Sequence, residues 1–145
     1  MTDNDLRTRH AKSLRYMFTR IPFVLALEME LVEWESEEGR AVVRLPVTEL
    51  VDNGGGVPHG GAIAALLDVT GAAAVWNGHD YDRGTRGSTT SLSVNYVGAA
   101  RDETVLATGR CVRRAHEINF ATIEAVGENS GKPIATAMMT YRIVP

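Results

Sequence analysis

The stretch Asn53-Gly54-Gly55-Gly56-Val57-Pro58-His59-Gly60-Gly61 runs without a break into Ala62-Ile63-Ala64-Ala65-Leu66-Leu67-Asp68 and on to Trp76. It opens as a glycine-rich loop and continues as an apolar segment long enough for about five helical turns. A central helix over 59–77 is expected, with Gly78 placed as its C-terminal cap. The segment is apolar nearly all round, as a helix buried on most sides must be. Its many Gly and Ala residues, from Gly60 to Ala74, let another backbone approach closely. One carboxylate, Asp68, interrupts it.

Outward from this segment the periodicity changes. On the N-terminal side, Leu6, His10, Leu14, Met17 and Phe18 recur at three- and four-residue spacing, which predicts an N-terminal helix within 1–22 that Pro22 ends. From Phe23 the period is two: Leu25, Leu27, Met29 and Leu31 alternate with Glu28 and Glu30, as in a half-buried strand. Glu37-Glu38-Gly39 is a turn, and Arg40 to Val47 the return strand of a hairpin. On the C-terminal side four strand-like runs are expected at Thr89–Val97, Thr104–Arg113, Glu117–Val126 and Ile134–Val144. In the first of these, strict alternation puts Thr90, Leu92, Val94 and Tyr96 on one face and Thr89, Ser91, Ser93 and Asn95 on the other. Strands do not alternate with helices, so the class is α+β, one helix serving a curved sheet. No linker or repeat divides the chain, and 1–145 reads as one domain.

The chain has 145 residues, a net charge of −3 and 44% hydrophobic residues, which suits a globular domain rather than a nucleic-acid binder. One cysteine, Cys111, cannot make an internal disulfide, and a reducing, cytoplasmic setting is expected. Met1–His10 lacks the apolar core of a signal peptide. Gly60–Trp76 is short for a membrane span and carries Asp68, which lipid would penalise.

A helix N-terminus offers unpaired N–H groups and partial positive charge. Gly60 and Gly61 leave those groups unobstructed, and a carbonyl oxygen gaining negative charge would be stabilised there. The same glycines also suit an ordinary capped turn. The run is not a phosphate-binding P-loop, because no Lys-Ser/Thr follows. Asp68 within an apolar helix is either a buried acid satisfied by a backbone or Ser/Thr donor, or a base or nucleophile. Gly60 and Asp68 are eight residues apart, about 12 Å along one helix. A reacting carbonyl needs its oxyanion donor and its attacking group each within roughly 3 Å. One helix cannot supply both, whereas two antiparallel copies across a two-fold axis can. If both features are catalytic, the protein is at least a dimer with two sites.

The pattern Asn53…Gly56-Val57-Pro58-His59-Gly60-Gly61…Leu67-Asp68 resembles the signature of hotdog-fold acyl-CoA thioesterases of the phenylacetate-pathway (PaaI-like) branch. Its acid stands seven residues after the last glycine, as in that family. Ile21-Pro22-Phe23 and Thr89 to Tyr96 are similar to flanking family segments, although the proline usual after the latter is missing. The resemblance implies a curved antiparallel sheet wrapped around the Gly60–Trp76 helix, and hydrolysis of an acyl-CoA thioester. It implies that Gly60 N–H polarises the thioester carbonyl and that Asp68 of the other chain activates water or attacks directly. Asn53 would help hold the carbonyl or the water, and Thr89 would assist the water. Gly61 would contact substrate, and His59, next to the oxyanion donor, would either contact substrate or serve as a helix-entry residue bonded to backbone. No metal and no cofactor is implied beyond the coenzyme A of the substrate, and the assembly would be a homodimer or a dimer of dimers.

Other residues carry weaker readings. Arg110, Arg113 and Arg114 cluster near a strand end, and Arg113 and Arg114 are candidates for the phosphates of coenzyme A, against a plain solvated strand end. Cys111 and His116 lie five apart, an odd separation that puts them on opposite faces of a strand. His79, Asp80 and Asp82 read as a solvated loop rather than metal ligands. Two rival functions remain open: a hotdog hydratase or dehydratase of enoyl thioesters, which needs a His paired with an acid, and a non-catalytic acyl-CoA binding domain.

Overall fold

The computed structural model describes residues 2–145, apart from the side chains at positions 3, 5 and 6, so the Leu6 position assigned above to the first helix's apolar face lies outside the described residues. Helix α1 spans Asp3–Arg20 and a short α2 spans Pro22–Ala26. Strands β1 (Glu30–Glu33) and β2 (Arg40–Leu45) form the first hairpin, and α3 (Gly60–Trp76) follows. After a 3-10 turn at Tyr81–Arg83 come β3 (Arg86–Tyr96), β4 (Val105–Ala115), β5 (Ile118–Gly127) and β6 (Pro133–Val144). The six strands form one antiparallel sheet in the order β1-β2-β4-β5-β6-β3.

Helix α3 lies on this sheet, and small residues decide how close it sits. A Cβ on Gly109 of β4 would come 2.8 Å from the Thr70 carbonyl oxygen, and one on Gly71 would come 2.7 Å from Met139 Sδ. On β5 the residues turned inward are Ala121, Ile123 and Ala125, all buried, while Phe120 and Glu124 face out. Leu66 and Leu67 are fully buried at the centre of the packing. Burying such side chains contributes roughly 1.5–3 kcal/mol each.

Two expectations need correcting. The alternation from Leu25 to Leu31 is not one strand. Pro22 supplies the first turn of α2 with its fixed φ, and Val24 and Leu27 go inward at three-residue spacing, so β1 starts only at Glu30. In β3 a bulge between Thr89 and Ser91 breaks the strict alternation. It turns Thr89 to the inner face with Leu92 and Val94, whereas unbroken alternation puts them on opposite faces.

The C-terminus of α3 is closed by side chains. Asn77 Nδ2 donates to the carbonyls of Trp34, Glu37 and Arg40, which ties the first hairpin to the helix end. Gly78 follows with φ 89°, the left-handed conformation that ends the helix. Next to it His79 is buried, and its Nε2 donates to the Gly84 carbonyl, 3.0 Å away. Burial pushes the His79 imidazole below its ordinary value. The unfolded chain therefore binds a proton at this residue before the folded one does. Stability is expected to fall as pH drops below about 6.5, the ordinary histidine value. A thermal-melt series from pH 7.5 to 5 should show this fall, and His79→Gln, a neutral donor at every pH, should flatten it. Parallel slopes for the two proteins rule the explanation out.

Candidate active site

His59 is the N-cap of α3, and its ring Nδ1 accepts from Gly61 N–H at 2.9 Å. The carbonyl of His59 accepts from Ala62 and Ile63. These bonds occupy the first-turn donors one by one and leave Gly60 N–H with no acceptor among the described residues. Tyr96 lies over Gly60: its hydroxyl donates to the Gly60 carbonyl at 2.9 Å, and a Cβ on Gly60 would sit 3.6 Å from the Tyr96 ring. Gly60 is thus held by one side chain while its N–H stays available.

The loop before the helix has an organiser that sequence reasoning missed. Asp52 Oδ1 accepts from the N–H groups of Gly54, Gly55 and Gly56 at 2.7, 3.1 and 3.0 Å. Those amides, Gly54 first, hold its carboxyl below the usual range. The glycine amides that resemble an anion cradle are therefore already filled by the chain's own acid. The Asp52-Asn53-Gly54 run was the available signal, because Asx side chains bond the backbone two residues on. Asn53 Oδ1 accepts from Gly55 N–H at 2.9 Å, and its amide hydrogens have no partner among the described residues.

Asp68 is half-buried, not sealed in the core. The less buried positions of α3 after its first residue are Gly61, Ala64, Ala65 and Asp68, a stripe at helical spacing, and Trp76 at its end. Thr89 Oγ1 donates to Asp68 Oδ1 at 2.7 Å. The Ser/Thr donor that a purely structural acid requires is therefore present, and it is the same Thr89 that the resemblance singles out. The bulge in β3 makes this pairing possible. The other carboxylate oxygen has no hydrogen-bond partner among the described residues. Asp68 also lies beside edge strand β3, which among the described residues pairs only with β6 and carries no charged side chain from Gly87 to Tyr96.

The arginines part company with the rest. Arg114 Nη1 and Nη2 donate to the carbonyls of Val75 and Asn77 at 2.7 and 3.0 Å. That is the far end of α3, about 25 Å along the helix from Gly60. Arg110 pairs with Glu37, and Arg113 is exposed. Arg114 thus holds the helix end, where a cation complements a helix C-terminus. Arg114→Met should lower unfolding stability by about 2 kcal/mol, the usual size for charged hydrogen bonds, and leave turnover unchanged. Denaturant titration and an activity assay on the same sample test both halves. The thiol of Cys111 is half-buried and pushed up by burial, which leaves it a poor nucleophile. Among the described residues no cluster of three or more His, Cys, Asp or Glu is arranged to hold a metal, and no helix is long and apolar enough to cross a membrane.

One curved antiparallel sheet packed on a single central helix, with an N-terminal helix beside it, is the hotdog architecture. The sequence profile of the thioesterase superfamily matches residues 55–134, and the chain belongs to that superfamily. A "putative esterase" of Saccharolobus solfataricus is 31% identical over 109 residues, 74% of each chain. The structure of zebra fish thioesterase superfamily member 2 is 27% identical with a TM-score of 0.76, covering 91% of this chain and 94% of that one. The PaaI protein of the E. coli phenylacetic acid degradation operon shares the fold, with a TM-score of 0.82, 20% identity and coverage of 97% and 96%. Hydrolysis of a thioester is the general activity that this membership supports.

Proposed function

We propose that the protein hydrolyses an acyl-CoA thioester to the free acid and CoA, at two sites in a homodimer. The observation that carries the reading is the division of labour on α3. An unpartnered Gly60 N–H and a Thr89-held Asp68 stand about 12 Å apart on one helix. Only a second copy, antiparallel across the two-fold axis, brings one of each to a single carbonyl. The open β3 edge beside Asp68 offers that copy a row of unpaired backbone groups to bond.

In this reading the substrate carbonyl oxygen accepts from Gly60 N–H of one protomer. Asp68 of the other takes a proton from water as the water oxygen bonds to the carbonyl carbon, or attacks that carbon itself. The oxyanion then collapses, the C–S bond breaks, and the thiolate leaves and takes up a proton; on the route of direct attack, water then cleaves the anhydride formed with Asp68, releasing the acid and restoring the carboxylate. Thr89 fixes the carboxylate by its occupied oxygen and leaves the other for the reaction. The unpaired Asn53 amide is a donor for the carbonyl or the water. The group needs no metal or added cofactor in this scheme, and one unpaired cysteine fits a cytoplasmic setting.

Hydration of an enoyl thioester is disfavoured by a specific observation. It needs a His paired with an acid, and among the described residues His59, His10 and His79 bond backbone groups instead. A thiol-release assay over acyl-CoA esters, run beside an enoyl-hydration assay, tests the proposal. Thiol release without hydration is expected. Binding of every ester with no cleavage would mark an acyl-CoA binding domain. Size-exclusion with light scattering should give a dimer or tetramer, and a monomer that turns over at full rate overturns the shared site.

A further inference from the structure

A cavity of about 520 Å³ lies between α1 and the sheet, walled by Tyr16, Met17 and Ile21 on one side and by Trp76, Gly87 and Tyr141 on the other. Its size is that of a small-molecule site. We infer that this cavity is the acyl-binding site, and that it selects an apolar acyl group larger than acetyl but shorter than a long fatty chain. The inference rests on the hydrolase reading above, for which Asp68 and Thr89 mark the reacting carbon.

The connection to the acid is short. Tyr141 of β6 is the cross-strand partner of Thr89. Gly87 stands two residues before Thr89 on β3, hence on the same face and about 7 Å along the strand. A carbonyl seated at Asp68 therefore has its acyl tail within a few bonds of the cavity mouth. Gly87 must be small: a Cβ there would come 2.5 Å from Tyr141 Cε1 and 2.9 Å from Trp76 Cζ2. Its absence lets Trp76 Nε1 donate to the Tyr141 hydroxyl at 3.1 Å, which fixes one wall.

The far side is lined by Trp76, Tyr81 and Ser13. Trp76 stacks on Tyr81 with ring centroids 5.8 Å apart, and the Tyr81 hydroxyl donates to Ser13 Oγ of α1 at 2.6 Å. That wall sets the upper limit on tail length. Inside, the Tyr141 hydroxyl accepts from Trp76 but its own proton has no acceptor among the described residues, although Tyr141 is only 7% exposed. The cavity thus tolerates one acceptor on an otherwise apolar tail. Because α1 supplies half the wall, the N-terminal helix sets specificity and is more than packing for the sheet.

The test compares acetyl-CoA, hexanoyl-CoA and palmitoyl-CoA on the full-length wild type and on Met17→Trp, which fills the cavity from α1. Wild type should prefer hexanoyl-CoA. Met17→Trp should lose about tenfold or more in kcat/KM on hexanoyl-CoA, the scale of a pocket misfit, with acetyl-CoA changed less than about threefold. Met17→Ala should shift preference toward the longer ester. Equal loss on acetyl-CoA and hexanoyl-CoA, or none on either, overturns the assignment. Met17→Phe replaces Met17→Trp if the latter melts early. Should wild type cleave none of the three esters, the hydrolase reading fails by itself. Calorimetric titration then still decides the cavity: Met17→Trp must weaken hexanoyl-CoA binding while leaving CoA binding alone, and equal weakening refutes it.

Discussion

Asp68→Asn is expected to reduce kcat for thioester hydrolysis by about 10²- to 10⁴-fold, the range for losing a positioned general base, with little change in fold or assembly. The amide has the shape of the carboxylate, and its oxygen still accepts from Thr89 Oγ1, 2.7 Å away in the native protein. Asp68 is half-buried and pairs with no cation among the described residues, so none of the ion pairs described is broken. What disappears is the negative charge and the ability to take a proton or attack carbon. Melting temperature, circular dichroism and hydrodynamic size should match wild type, while thiol release collapses. A variant that keeps more than about a tenth of the turnover shows that the chemistry lies elsewhere. Loss of the dimer together with the activity shows instead that Asp68 holds the interface.

Gly60→Pro should cost about 10²- to 10³-fold in kcat, the effect of deleting one oxyanion donor. Proline is mild at this position. Gly60 is the first residue of α3, where the fixed φ of proline suits the helix and the missing N–H breaks no intrahelical bond. His59 before it already has φ −59° and ψ 142°, the extended conformation that a following proline demands. The substitution therefore removes one free N–H and little else. Mixing makes the test sharper. In a dimer of one Asp68→Asn and one Gly60→Pro protomer, one site carries both lesions and the other carries none. Subunits exchanged at equal amounts should therefore recover about a quarter of wild-type activity by the statistics of pairing. Two inactive parents whose mixture stays inactive, after exchange is verified by mass spectrometry, exclude a site shared between chains.

Much of the site was legible because it follows one helix. Rise per residue converts the Gly60–Asp68 spacing into a distance of about 12 Å, too long for one helix to bring both groups to a single carbonyl. His-Gly-Gly followed by the acid marks the helix head and its flank. The roles of His59 and Gly61 were less legible. The structure joins them to each other, ring nitrogen to N–H at 2.9 Å, so both appear as capping groups that leave Gly60 free. Asp52 was overlooked because its acceptors' partners are backbone amides, which have no letter of their own in a sequence.

Helix α3, the α+β class and the hairpin order were readable from local periodicity, since a buried helix and a half-buried strand each force a hydrophobic pattern at short range. Thr89 was misplaced on the strand because a bulge adds one residue and reverses every side chain beyond it, and no residue type at Thr90 announces that. Pro22–Ala26 folds as a helix because a proline φ and two inward contacts outweigh an alternating pattern only a few residues long. Arg114 reaches the end of α3 from a strand 37 residues further along, a pairing that only the closed sheet creates. The sequence by itself determined the central helix, its free N–H and its acid, because each depends on spacing along a single element. The hydroxyl that holds that acid, the cavity beside it and the cap on the helix end were decided by tertiary structure, because each joins residues that only the register of the sheet and the packing of α1 bring together.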